Sequence, residues 1–279
     1  MDKKLISFGH GYSARALSKR LLAEGWTILG TTRSSDKVDD LRRQGIVPLL
    51  FSDPIPPEFV DSSHILISAG PGNTGDPTLA EYAGALAEMA PEWVGYLSTT
   101  GVYGDHQGGW VDEATALTPS TKRGQARVMA ESQWRATPLP LHIFRLAGIY
   151  GPGRGPFAKV RNGTARRIIK DNQVFSRIHV DDIAQVLYAS MQVPNAGAIY
   201  NLCDDDPAPP QDVIAYAAEL LGLPVPPAVA YNQAEMTPMA RSFYAESKRV
   251  RNDRIKDELG VALRYPDYRA GLLALLQAE

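Results

Sequence analysis

Six residues near the start, Gly9-His10-Gly11-Tyr12-Ser13-Ala14, have the types and spacing to hold a phosphate. They form G-x-G-x-x-A between a short apolar run and a stretch of helical period. In that setting the first glycine permits a tight turn and the second lets the backbone approach a pyrophosphate. The small Ala14 lets helix and strand pack closely, while the free N–H groups of the helix start attract the anion. About 20 residues beyond the first glycine, such a fingerprint places an acid on a ribose 2′-hydroxyl. Here the chain has Thr32-Arg33-Ser34 instead. A guanidinium flanked by hydroxyls suits a 2′-phosphate, so NADP is expected over NAD. Asp53 and the pair Ala69-Gly70 follow later apolar runs and complete the expected cofactor set.

The elements that must position these residues follow from hydrophobic pattern. Strands are expected at Lys4–Phe8, Thr27–Thr31, Val47–Phe51, His64–Ser68, Trp93–Ser98 and Leu141–Leu146. Helices are expected at Ala14–Glu24, Ser35–Gln44, Thr78–Met89 and Gly124–Arg135. This alternation predicts an α/β fold, a Rossmann-like doubly wound parallel sheet. After Tyr150 the breaker cluster Gly151-Pro152-Gly153-Arg154-Gly155-Pro156 interrupts it. A strand–helix pair returns at Val174–Val180 and Asp181–Met191, followed by a strand at Ala198–Leu202. Helices at Gln211–Leu221, Ser247–Leu259 and Tyr268–Gln277 suggest a smaller, mostly helical C-terminal lobe. The expected division is a core of residues 1–150 with a returning segment near 174–202, and a lobe of 151–173 and 203–279.

Composition narrows the class. The 279 residues carry 29 basic and 31 acidic side chains, a net charge of −2, which argues against a protein driven onto polyanions by bulk charge. The single cysteine, Cys203, excludes an internal disulfide and fits a reducing compartment. The longest apolar run, Val213 to Ala218, is far short of a membrane span, and the apolar stretch at the start is too short for a signal segment. A cytoplasmic protein is expected. The five histidines show no ligand spacing, so no metal is expected.

Five further segments, in order, resemble the extended short-chain dehydrogenase/reductase superfamily, the group of NAD-dependent epimerase/dehydratase enzymes and related reductases. They are Leu97-Ser98-Thr99-Thr100-Gly101-Val102-Tyr103-Gly104, Phe144–Gly153, Ile178–Ala184, Tyr200-Asn201-Leu202 and Ser247-Lys248-Arg249-Val250. The glycine loop is one residue shorter than in most extended members, which points to an atypical branch. The resemblance implies a hydroxyl residue on the fifth strand, matched by Thr99, and a Tyr-x-x-x-Lys pair on the next helix. Counting back from Glu131, that pair falls on Arg123 and Arg127. A guanidinium does not titrate in a working protein, so Arg123 cannot be a general acid/base, although it can stabilise an oxyanion or grip a carboxylate. Tyr103, Tyr150 and His106 are the nearest stand-ins by motif, each with a plainer reading as loop or packing residue. His179, at a strand-to-helix junction before Asp181 and Asp182, reads as structural.

From Arg154 to Arg177 seven basic residues face one acid. In the resembling enzymes this segment lines the substrate cleft, so Tyr150, Arg154, Lys159, Arg161 and Arg249 are the expected contacts of a small anionic metabolite, a nucleotide-linked sugar being one example. Nucleic acid is a weaker partner, since no aromatic residues interleave with the cations. Two readings stand: an oxidoreductase or epimerase with an altered active site, and a non-catalytic NADP sensor that has lost Tyr and Lys.

Overall fold

The computed structural model describes residues 3–72 and 74–279; Met1 and Asp2 of the opening stretch lie outside them. The first half runs β1 (Lys4–Phe8), α1 (Tyr12–Ala23), β2 (Thr27–Thr32), α2 (Val38–Arg43), β3 (Val47–Leu50), β4 (His64–Ile67), α3 (Pro77–Glu88) and β5 (Trp93–Thr99). Then come β6 (Trp110–Val111), α4 (Lys122–Arg135), β7 (Leu141–Leu146), β8 (Gly148–Tyr150), α5 (Phe157–Arg161), β9 (Arg167–Ile169), β10 (Arg177–His179) and α6 (Val180–Gln192). The chain ends with β11 (Ile199–Leu202), α7 (Pro210–Leu220), β12 (Ala228–Ala230), α8 (Pro238–Phe243), β13 (Arg249–Val250), α9 (Asp253–Asp257) and α10 (Tyr268–Gln277).

Seven strands form one sheet in the order β11-β7-β5-β4-β1-β2-β3, and every pair within it is parallel. This is the doubly wound arrangement expected from the alternation. Both faces are buried, which is why its strands read as nearly continuous apolar runs. Leu5 packs on one side with Leu17, Leu21, Ile28 and Ile183, while its neighbour Ile6 packs on the other with Leu29, Tyr82 and Trp134. The winding reverses beside β1: β2 and β3 lie to one side of it, β4 and β5 to the other. The carboxyl ends of β1 and β4 therefore part into the crevice where ligands of such sheets bind.

A buried ion pair fixes α4 against the sheet. Arg145 on β7 donates to both carboxylate oxygens of Glu131 on α4, at 3.1 and 2.8 Å, and both side chains are almost wholly buried. Ser98 on β5 donates to the same carboxylate at 2.6 Å, and Arg145 also donates to the Tyr103 hydroxyl at 3.0 Å. The smaller lobe has its own core of Tyr150, Phe157, Val213, Ala217, Tyr268 and Leu272.

Two expectations change. The stretch 247–259 is not one helix: Arg249 and Val250 pair with Trp110 and Val111, and α9 starts only at Asp253. Buried hydrogen bonds of Ser247 and Lys248 hold that segment extended. Ile255 and Val261 pack into the core beside α1 and α6. The helix expected from Ser35 opens as a tight 3-10 turn over Ser35–Lys37 before α2. His179 caps α6, accepting the Asp181 N–H at 3.2 Å, the structural role expected of it.

Removing one member of a buried pair strands the other charge, at a cost of about 3–5 kcal/mol. Glu131→Ala is expected to lower unfolding free energy by that amount in urea titration, and a loss below about 1 kcal/mol would show that Arg145 finds another partner.

Candidate functional site

The glycine turn is dictated by space. Gly9 has φ +73°, and a Cβ there would lie 2.6 Å from the Ala69 backbone nitrogen. Its N–H donates to Thr31 Oγ1 at 2.8 Å, and the Ala69 N–H reaches the Phe8 carbonyl at 3.1 Å. The turns after β1 and β4 are thus pressed together at the crevice. Gly11 differs: its backbone is extended, and a Cβ there would meet only the Gly9 carbonyl oxygen, at 3.6 Å. It starts α1 with no side-chain cap and no acid in the first turn. Open space above a glycine beside free helix N–H groups is a cradle for an anion.

Around it lies a cleft of about 580 Å³, lined by Gly9, Gly11, Tyr12, Thr32, Arg33 and Ser34, together with His10, Arg15, Lys37 and Asp40. A contiguous pocket of about 200 Å³ adds Phe51, Ser68, Ala69, Gly70 and Pro77. Most of the expected cofactor set is therefore brought together. Ser13 and Ala14 are buried behind the loop, where Ala14 packs α1 on the sheet. Asp53 is the exception. Its side chain is exposed and lines neither pocket, because the chain turns at Ser52 with φ +83°; Phe51 faces the pocket instead. His10 is a variable position of the motif, Arg15 lies on α1 and Lys37 in the turn after β2, so none of them carries a signal in sequence.

At the end of β5, Thr99 Oγ1 accepts the Gly101 N–H at 3.2 Å, which leaves its own O–H free to donate. Arg127 donates to the Leu97 carbonyl at 2.6 Å and to the Tyr96 hydroxyl at 3.1 Å, and its Nη2 lies 3.6 Å from where a Gly70 Cβ would stand. It bridges β5 to the crevice turn after β4. Arg123 is exposed on the first turn of α4, beside Gly124, whose close neighbour is the Gly101 carbonyl.

Several expected contacts are corrected. Tyr103 is fully buried and donates to Asn201 Oδ1 at 2.7 Å; burial pushes its hydroxyl up to about 12, so it stays protonated near neutral pH and does not exchange that proton in a catalytic cycle. Tyr150 belongs to the lobe core, its hydroxyl occupying the space a side chain at Gly271 would take, and burial likewise raises its pKa. The basic stretch is not one face. Arg161 is paired with Glu279, Lys170 with the Tyr244 carbonyl, and Arg249 with the Gly108 carbonyl. Arg177 is half-buried, donating to the Phe175 and Ala208 carbonyls. Lys159 is exposed on α5, away from both pockets. Arg154 alone of the expected lobe contacts meets the glycine loop, its guanidinium 5.7 Å from the centre of the Tyr12 ring, whose hydroxyl donates to the Pro152 carbonyl at 3.0 Å. His106 contacts the Tyr103 carbonyl at 3.1 Å, a loop role. Cys203 is buried as a free thiol. Among the described residues no acidic, histidine and cysteine side chains group as metal ligands, and no helix is long and apolar enough to cross a membrane.

Asp204 had no signal in sequence. It is 1% exposed, neither carboxylate oxygen has a hydrogen-bond partner, and desolvation raises its pKa to about 8 against the pull of Arg177.

No family model matches the chain. Protein YeeZ of Escherichia coli strain K12 is 31% identical over 287 aligned positions, 95% of this chain and 97% of its own. A conserved protein of unknown function from Silicibacter pomeroyi has a solved structure that superposes with a TM-score of 0.93 at 60% identity, covering 99% of each chain. Human epimerase family protein SDR39U1, isoform 2, solved with NADPH, superposes with a TM-score of 0.76 at 16% identity over 98% of this chain and 99% of its own. The glycine turn, the parallel sheet and the ordered segments after β5 and β7 define an epimerase/dehydratase-like member of the short-chain dehydrogenase/reductase superfamily. Within it, the chain belongs to the family of Protein YeeZ.

Gly9→Ala combines a left-handed backbone with a backbone clash and is expected to cost about 2–5 kcal/mol, whereas Gly11→Ala should stay within about 1 kcal/mol of the parent in thermal unfolding. A buried Asp204 whose pKa is raised from 3.8 to about 8 makes the fold lose stability as pH rises through that interval. Asp204→Asn is accordingly expected to unfold later than the parent at pH 8, by up to about 5 kcal/mol, and to match it near pH 4; equal stability at both values would refute the buried neutral carboxyl.

Proposed function

We propose that this chain binds NADP(H) across the crevice at β1 and β4 and acts as an oxidoreductase or epimerase-type enzyme on a small anionic substrate. The observation that carries the reading is the cleft at the exit of β2, where Arg33, Ser34 and Lys37 stand in the place of a ribose-binding acid. The Gly9–Gly11 cradle and the uncapped start of α1 would hold the pyrophosphate, and Thr31, Phe51 and Ala69 would flank the adenosine half. When bound, the nicotinamide supplies hydride transfer.

The substrate end is polarised by fixed charge rather than by a titrating tyrosine. Thr99 can donate its hydroxyl proton to a substrate oxygen. Arg123, Arg127 and Arg154 stand around the same carboxyl edge and favour an anion there, through geometry suited to carboxylate or phosphate. The human structure with NADPH supports a nicotinamide dinucleotide as the class of ligand. The burial of both Tyr103 and Tyr150 favours a second reading, an NADP sensor without turnover.

Saturation to about 100 Kd stabilises a binding protein by about 2.7 kcal/mol, so scanning calorimetry separates the ligands. NADP⁺ is expected to raise Tm more than NAD⁺ at equal concentration, Arg33→Ala to bring the two to parity, and Gly11→Ala to weaken both. No shift with either nucleotide would overturn the cofactor reading. NADPH oxidation over a panel of nucleotide sugars, aldehydes and keto acids then distinguishes the enzyme from the sensor, which would bind tightly and stay inert throughout.

A further inference from the structure

His10 carries an imidazole that the glycine turn does not require. Its backbone N–H donates to the Thr31 carbonyl at 3.0 Å. Its ring lies against Gly30, where a Cβ would stand 2.9 Å from the imidazole Cγ, so β2 has a glycine where this side chain needs room. The residue is 7% exposed, borders the cleft, and has no hydrogen-bond partner on either ring nitrogen. Such an unpartnered group costs stability wherever it is buried.

The charges facing it come from three elements. Arg15 projects from α1, and Arg33 and Lys37 stand in the turn after β2. Among the described residues that line the cleft, Asp40 on α2 is the one acid, and its carboxylate is already engaged by Arg15 at 2.9 Å, Gln44 at 2.8 Å and Arg43 at 3.6 Å. From β2 come the backbone of Gly30 and the hydroxyls of Thr31 and Thr32, and Ile46, just before β3, adds apolar surface.

We propose that His10 is the proton-coupled element of the 2′-phosphate subsite, becoming imidazolium when a phosphate dianion enters the cleft, so that preference for NADP over NAD strengthens as pH falls. This rests on the cofactor reading above. Without ligand, burial and the Arg15 charge hold the imidazole neutral, with its pKa lowered to about 4. A dianion among Arg33, Ser34 and Lys37 reverses the local field, and imidazolium offers a donor on both ring nitrogens, where neutral imidazole has one. The proton comes from solvent. NAD⁺, with a hydroxyl at that carbon, has no charge to drive the uptake.

The test is the pH dependence of NADP⁺ and NAD⁺ binding to the whole chain and to His10→Asn. If the bound phosphate returns the imidazole to its ordinary value of 6.5, NADP⁺ affinity relative to the variant gains about tenfold between pH 8 and pH 5.5, with no such gain for NAD⁺. The 2′-phosphate titrates near pH 6 itself, and that contribution is common to both proteins. Parallel profiles for parent and variant would overturn the role of His10 and leave the cofactor reading intact. Absence of any NADP⁺ preference at every pH would overturn both. The parent alone also decides the matter, should the variant not fold: calorimetry at pH 6 in two buffers of different ionisation enthalpy should show net proton uptake with NADP⁺ and not with NAD⁺. The phosphate's own ionisation on binding can only release protons and so offsets part of that uptake; release of the phosphate's full share, with nothing taken up against it, would count against His10.

Discussion

Everything at the carboxyl edge depends on how closely two turns can approach. Where the winding reverses, the backbone of Gly9 passes so near Ala69 that no side chain fits between them. The sheet twist and the two hydrophobic layers bring the turns to that distance; the missing Cβ lets them stay. From this contact follow the direction of α1, the exposure of its first N–H groups, and the shared wall of the two pockets. The same sheet geometry without the glycine would still have a crevice, but its floor would be filled.

Around that floor stand fixed positive charges, with Arg127 beside Gly70 and Arg154 beside Tyr12. Arg127 has the reach of the family's lysine, yet its guanidinium is spent on the Leu97 carbonyl and the Tyr96 hydroxyl. It therefore acts as a brace between strand and crevice while keeping its charge near Gly70. One turn further along α4, Glu131 locks the helix to β7 through Arg145. The register of the charged residues is set by a buried pair that never meets solvent. Burial holds two groups far from their ordinary ionisation: His10 beside the cleft, with its pKa lowered to about 4, and Asp204 elsewhere, with its pKa raised to about 8.

Sequence reading succeeded where local pattern and tertiary environment agree. The apolar runs of β1, β4, β5 and β7 were legible because both sheet faces are covered, and the glycine loop because its spacing reflects a backbone requirement. It failed where a side chain's destination is decided by distant partners. Charge density between residues 154 and 177 suggested one basic face, but a C-terminal glutamate claims Arg161 and two carbonyls claim Arg177. Tyr103 sits in a motif that promises chemistry, and only the burial around Arg145 and Asn201 shows it to be a strut. His10 was invisible for the opposite reason. It occupies a position that the motif leaves free, and its significance arises from Gly30, twenty residues away, which makes the room.

The return of α9 to the main core has a consequence for synthesis. Ile255 and Val261 fill space beside α1 and α6, and β11 closes the sheet against β7. A chain emerging from the ribosome can pair its first five core strands early, yet the layer covering α1 stays unfinished until Ile255 and Val261 have followed, more than 150 residues after β5. Until then the nascent half-sheet keeps an apolar flank uncovered, and the segment around α9 is what closes it.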